Sequence, residues 1–273
     1  MNRSIACLIS YLVLLAAVDL RGAPPSTRMT EGLRDKTPNH HALTKVRAVT
    51  RPGTIVEQAT IVLRDGVIVS VTEQGPVPAG AREWNLAGCT VYAGFIDAYT
   101  EETIDHAVVQ GGAPHSNPLI LSQLDLAKHL RSSPGQNQKM RSQGITMRLA
   151  VPAGGIVKGQ SCLVTTADDS GAETIFRSRA AQHMQLTVPR TPRREGYPNS
   201  PMGALTLARQ TLIDAQWYQA AWKSYRAKEN LPRPEQNDPL EALADSLQSQ
   251  QLFVIDAGND LYFLRADRIA KEF

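Results

Sequence analysis

Leu86-Ala87-Gly88-Cys89-Thr90-Val91-Tyr92-Ala93-Gly94-Phe95-Ile96-Asp97-Ala98-Tyr99-Thr100-Glu101 is the stretch on which the fold turns. Trp84–Tyr92 reads as one strand and Gly94–Glu101 as the next. Alternate residues of a strand share a face, so Asp97, Tyr99 and Glu101 are expected to point the same way. These three are the candidate catalytic residues. A phenol with an ordinary pKa of about 10 stays protonated near neutrality and is a poor metal ligand. Glu101 suits a hard cation such as Mg²⁺ or Ca²⁺, but two carboxylates without further ligands make only a weak site. Either these side chains carry chemistry, or they finish a strand at a solvated mouth.

Upstream, Leu43–Thr50, Thr54–Leu63 and Val67–Thr72 are β-branched runs with partial alternation. Asp65-Gly66 sits between the last two as a type I′ hairpin turn. Pro76 to Gly80 breaks the pattern before Trp84. Residues 42–92 are thus expected to form a small antiparallel all-β domain, preceded by a flexible lead-in over 24–41. Residues 1–23 read as a signal peptide: Arg3 is followed by an apolar run from Ile5 to Val18 that Asp19 and Arg21 end. That run is shorter than the ~20 residues a spanning helix needs. Cleavage fits after Leu15-Ala16-Ala17 or after Arg21-Gly22-Ala23, and an uncleaved anchor is the alternative. The expected location is secreted or periplasmic, with no membrane span beyond the signal segment.

Downstream, Pro118–Leu130 is expected to be a helix between two loop signals, Gly111–Pro114 and Ser132–Gly135. Gly144–Val151 reads as a buried strand and Ser161–Thr166 as an extended run. Gly154, Gly155 and Gly159 read as tight loops, since no Gly-Lys-Ser/Thr of a phosphate loop follows them. Ser200 and Pro201 open the longest helix, which carries Leu205, Ala208, Leu212, Ala215 and Trp222 and runs to Lys228. Its aromatic residues Trp217, Tyr218, Trp222 and Tyr225 are packing residues or a ligand shelf. Asp238 is expected to cap the next helix, Gln251–Ala257 to be a buried parallel strand, and Asn259 or Asp260 to cap a last helix ending uncapped at Phe273.

Asp65-Gly66 followed at this distance by Gly94-Phe95-Ile96-Asp97 resembles the amidohydrolase superfamily, in its imidazolonepropionase-like, secreted bacterial subgroup. Gly155–Ser161 and Tyr197–Ala204 add to the likeness. The resemblance implies α/β architecture: an N-terminal β-sandwich over 42–92, then over 93–273 the first strands and helices of an incomplete TIM-like (β/α) barrel with insertions. It implies barrel strands near 94–99, 145–151 and 252–257, whereas a closed barrel needs eight. The chain is therefore expected to be an N-terminal portion that lacks the C-terminal barrel half, is marginally stable and is inactive alone. Members of the family are metal-dependent hydrolases, acting mostly on non-peptide carbon–nitrogen bonds. Their motif is Gly-Phe-Ile-Asp-x-His-x-His, whose two histidines bind metal. Here Tyr99 and Glu101 occupy those two positions. No metal ligand and no cofactor are assigned in this chain; a zinc-like divalent metal belongs to a full-length relative.

The remaining residues do not restore that chemistry. His40, His41, His106, His115, His129 and His183 include neither a His-x-His nor a His-x-x-x-His. Gly159-Gln160-Ser161-Cys162-Leu163 lacks the last glycine of a nucleophile elbow. Cys89 and Cys162, the cysteines beyond the signal, are expected to be buried free thiols. A net charge of +3, dispersed, leaves no footprint for nucleic acid, and the basic run Arg190–Arg194 reads as a solvated loop. The expected partner is a small-molecule or peptide-derived substrate. The two functional classes carried forward are an exported amidohydrolase-like hydrolase and a non-catalytic extracytoplasmic binding or structural module.

Overall fold

The computed structural model describes residues 39–104, 112–131, 133–167, 174–188, 196–228 and 230–273. The signal segment, most of the lead-in, His106, Gly111, Ser132 and the run Arg190–Arg194 lie outside the described residues. The chain divides into two compact units, Met1–Tyr92 and Ala93–Phe273. No helix among the described residues is long and apolar enough to cross a membrane.

In the first unit, β1 (His40–Arg51), β2 (Thr54–Arg64) and β3 (Val67–Glu73) form an antiparallel meander. Asp65 and Gly66 both have positive φ, 50° and 77°, as a type I′ turn requires. The unit is not purely antiparallel as expected. The stretch Trp84–Tyr92 supplies two short strands, β4 (Arg82–Asn85) and β5 (Thr90–Tyr92), and both pair with β1 in parallel. The cause lies in β1, which is irregular between Leu43 and Val46, with Lys45 at φ 56°. Its partner strand breaks there: Leu86 N donates to Thr44 O and Arg47 N to Cys89 O, each at 3.0 Å. The Cys89 side chain is left exposed, correcting the expectation of a buried thiol. Val46, Ala48, Ala59 and Ile61 form the core of this sheet.

The second unit is mixed α/β with two sheets and, among the described residues, no closed barrel. In one sheet β6 (Phe95–Glu102) pairs in parallel with β7 (Ile145–Pro152), which continues antiparallel to β9 (Cys162–Thr165) and then β10 (Ile175–Arg177). In the other, β8 (Val157–Gln160) is antiparallel to β11 (Gln182–Gln185), which runs parallel to β12 (Phe253–Asp256). The expected barrel strand at 252–257 thus lies in a different sheet from the two at 94–99 and 145–151.

Pro118–Leu130 is not a helix. Ile120 and Asp125 bridge to Val157 and Gln160 in parallel, and only Leu126–Lys128 makes a 3₁₀ turn. The apolar residues Ile120, Leu121, Leu124 and Leu126 mimic helical spacing, but Leu121 N donates to Val157 O and Gln160 N to Leu124 O, so the segment flanks β8. This close approach explains Gly159, which lies within β8 rather than in a loop. Its φ is +110°, and a Cβ there would stand 2.7 Å from Leu124 O. Gly159→Ala is expected to lower the unfolding free energy by about 2 kcal/mol, through backbone strain and that overlap. Chemical denaturation checks this, and an unchanged midpoint would contradict the approach of the two segments.

Helix α1 (Pro134–Ser142) arises where Ser-Pro-Gly reads as loop. It is polar, Asn137 is its one buried residue, and Asn137 Nδ2 anchors it by donating to Ala167 O at 2.8 Å. Helix α2 (Pro201–Ala227) has the expected cap, with Ser200 Oγ accepting from Gly203 N. Helix α3 (Asp238–Gln248) is capped by Asn237 instead of Asp238, which is used elsewhere: its carboxylate accepts from Ala113 N at 2.9 Å. Helix α4 (Asp260–Glu272) is capped by Asn259. Leu212, Ala215, Leu243, Ala266 and Ile269 of these helices bury against Ile156, Met184 and Leu186. Burying each large apolar side chain here contributes roughly 1.5–3 kcal/mol. Tyr218 and Trp222 pack edge to face at 6.1 Å, while Trp217 is exposed.

Candidate functional site

The strand ends of the second unit bring four side chains together: Tyr99 and Glu101 of β6, Lys158 of β8 and His183 of β11. A change of register places the last two. His183 pairs with Gly159 but Met184 with Val157, so Lys158 is the extra residue of a bulge. Such bulges re-aim a side chain beside a site. Met184 and Val157 belong to the helix-packed core, whereas Lys158 turns to Tyr99 and Glu101.

Lys158 Nζ donates to Glu101 Oε1 at 2.7 Å and to Tyr99 Oη at 3.0 Å. Tyr99 Oη in turn donates to Glu101 Oε1 at 3.3 Å. The Lys158 side chain is 1% exposed and that of Glu101 49% exposed, so the cation is internal and the anion faces solvent. His183 is buried, with its ring 5.9 Å from that of Tyr99. Its Nε2 has no hydrogen-bond partner among the described residues.

Of the three residues expected to share a face, Tyr99 and Glu101 meet in this cluster. The Asp97 carboxylate turns back onto its own strand, accepting from Tyr99 N at 3.1 Å and from Thr100 Oγ1 at 2.9 Å. The β6–β7 register shifts between Asp97 and Thr100, which breaks the simple alternation. Beyond it, Glu102 pairs with the buried Arg148 of β7.

The charges follow from these contacts. The hydrogen bond from Lys158 holds the Glu101 carboxyl below its ordinary range. Burial alone would lower the Lys158 ammonium, but its bonds to Glu101 and Tyr99 outweigh that and raise it. Burial raises the Tyr99 phenol, partly offset by Lys158, and the negative charges of Glu101 and then of Asp256 at the end of β12 add to the rise. Burial, and then the charge of Lys158, push His183 down to about 4. Near neutrality the cluster therefore holds one carboxylate, one ammonium, a neutral phenol and a neutral imidazole. The buried Cys162 thiol is pushed up to about 12 by burial and is no nucleophile at neutral pH.

These residues do not fit a divalent metal. The ammonium of Lys158 sits on Glu101 Oε1 and Tyr99 Oη, where a second cation would be repelled, and the phenol stays protonated. Among the described residues no group of three or more His, Cys, Asp or Glu could hold a metal ion. The arrangement can instead hold a ligand by hydrogen bonds at Glu101 and Tyr99, with Lys158 fixing both from behind.

Sequence reasoning missed Lys158 and His183. The signal for the first was legible: a lone charged residue inside Ile156-Val157-Lys158-Gly159, a segment too apolar for a solvated loop. His183 gave none, because its neighbours become neighbours only through the β8–β11 pairing.

No protein-family model matches the chain, and neither does any curated protein. Among solved structures, an amidohydrolase from Thermotoga maritima MSB8 is similar, with a TM-score of 0.67 at 18% identity. The match covers 85% of this chain and 61% of that one. At this identity the likeness is one of fold alone.

Proposed function

We propose that the chain is an exported, amidohydrolase-like protein that binds a small or peptide-derived ligand at the Tyr99–Glu101–Lys158 cluster and has no metal-dependent hydrolase activity by itself. In this reading the five-stranded sheet belongs to a β-sandwich and the second unit is an incomplete TIM-like barrel. The observation that carries it is Lys158, whose buried ammonium is bonded to the two side chains that stand where the family places its first metal ligands.

The second reading is hydrolysis of a non-peptide carbon–nitrogen bond by water activated between a metal and a carboxylate. The likeness of scaffold favours it. It requires ligands other than the residues of this cluster. Metal analysis after expression with zinc and manganese separates the two. The binding module is expected to purify with less than about one-tenth of an equivalent. Stoichiometric metal together with metal-dependent amide hydrolysis would establish the hydrolase. Export is tested by intact mass from the native host, with loss of roughly the first 17 to 25 residues expected.

A further inference from the structure

We infer that the groove between helices α2 and α3 is a second binding site, whose ligand is a short zwitterionic peptide of two or three residues with free ends. The groove shares no residue with the Tyr99–Glu101–Lys158 cluster. Its volume is about 550 Å³, within the range of small-molecule sites. The two walls carry opposite charge: Lys223 and Arg226 stand on α2, Glu241 and Asp245 on α3. Although all four line one space, none of them makes an ion pair among the described residues. The cationic wall is held by aromatic rings instead. The Arg226 guanidinium lies 5.8 Å from the centre of the Trp222 indole, and that of Arg233, in the loop after α2, lies 5.6 Å from the same ring. Trp222 is in turn fixed by edge-to-face contacts with Tyr218 at 6.1 Å and Tyr225 at 5.8 Å. Both sets of charges therefore remain available to a ligand.

A second, independent observation is the indole N–H itself. Trp222 lines the groove, and its Nε1 is buried with no acceptor among the described residues. Buried donors in native structures are normally satisfied. A carbonyl of a ligand in the groove supplies the acceptor that the protein does not. A peptide with free ends meets each of these demands: its carboxylate pairs with Lys223 and Arg226, its ammonium with Glu241 and Asp245, and a backbone carbonyl accepts from Trp222. Length selects the class further. Packed helices lie about 8–10 Å apart, and extended chain covers about 3.3–3.6 Å per residue. Two or three residues span the walls, whereas a single amino acid does not.

The test is titration of the full chain with the tripeptide Ala-Leu-Ala, read by tryptophan emission and by calorimetry. In Trp84→Phe/Trp217→Phe, where both replaced side chains are exposed, Trp222 is the sole indole. A saturable change in its emission is expected, with a Kd of about 100 μM. N-acetylation and C-amidation of the peptide should each weaken binding about tenfold. Lys223→Ala/Arg226→Ala should weaken the free peptide about tenfold and make C-amidation indifferent; Glu241→Ala/Asp245→Ala should do the same for N-acetylation. These four side chains are exposed, so neither double variant disturbs the core. Unchanged Trp222 emission at millimolar peptide, or equal binding of the end-blocked peptide, would overturn the inference. So would calorimetric binding that survives both double variants, since the peptide would then sit elsewhere on the chain.

Discussion

Replacing Glu101 by alanine is expected to destabilise the second unit by about 3 kcal/mol, and replacing its partner Lys158 by methionine by only about 1 kcal/mol. The asymmetry follows from burial. Glu101→Ala strands an ammonium that is 1% exposed, with only the Tyr99 oxygen left among the described residues to accept from it. Breaking a buried pair in that way typically costs 3–5 kcal/mol; the lower end applies because the vacated space opens to water. Lys158→Met leaves behind a carboxylate that is 49% exposed and can be hydrated, while the new side chain fills most of the old volume. The double variant should lie close to Lys158→Met alone, since no charge remains to be stranded. Urea unfolding at pH 7 measures all three. Equal losses for the two single variants would show that the burial difference does not control the energetics.

The same pair sets two edges of a pH plateau. Glu101 has its folded pKa below the ordinary 4.5, so its contribution is complete above that value and lost as pH falls through the folded pKa. Lys158 has its folded pKa above 10.5, so its contribution is present below that value and lost as pH rises through the folded pKa. Neither group accounts for any change in stability between about pH 5 and 10.

Much of this architecture was legible in local sequence, where the physics is local. Asp65-Gly66 specified its turn because both residues must take positive φ. Ser200-Pro201 specified the start of α2 because the serine oxygen meets the Gly203 amide three residues on. Failures occurred where a distant partner decided the outcome. Pro118–Leu130 has helical spacing, yet the open backbone of β8 captured it as an extended flank. Asp238 resembles a helix cap, but its carboxylate is drawn to Ala113 and Asn237 caps instead. The candidate site divides in the same way. Tyr99 and Glu101 were visible as alternating residues of one strand. Asp97 was placed on the same face, but the irregularity of β6 turned its carboxylate to the backbone. Lys158 and His183 entered only through a bulge between two strands separated by more than twenty residues, a register that no window of sequence contains.

His183 provides the largest expected dependence on mild acid. Its folded pKa is about 4, against 6.5 for the free side chain, because burial disfavours the imidazolium and the charge of Lys158 adds to the penalty. A histidine whose folded pKa is depressed binds fewer protons in the native state than in the unfolded state throughout that interval. Stability is therefore full above about pH 6.5 and declines as pH falls towards 4. At about 1.4 kcal/mol per pH unit, the loss amounts to about 2 kcal/mol by pH 5 and about 3 kcal/mol by pH 4. The window is distinct from that of Glu101, whose contribution begins to fail only below 4.5. Exposed carboxylates do not obscure it, because they stay ionised in both states above about pH 5. His183→Gln keeps a polar side chain of similar reach without a titrating ring. It is expected to flatten the curve between pH 7 and 5 while leaving the steeper fall at lower pH in place. Urea midpoints at pH 7, 6 and 5 for the two proteins measure the difference. If wild type and His183→Gln lose the same stability over that range, the imidazole is not held neutral beside Lys158, and the electrostatic order assigned to the cluster fails with it.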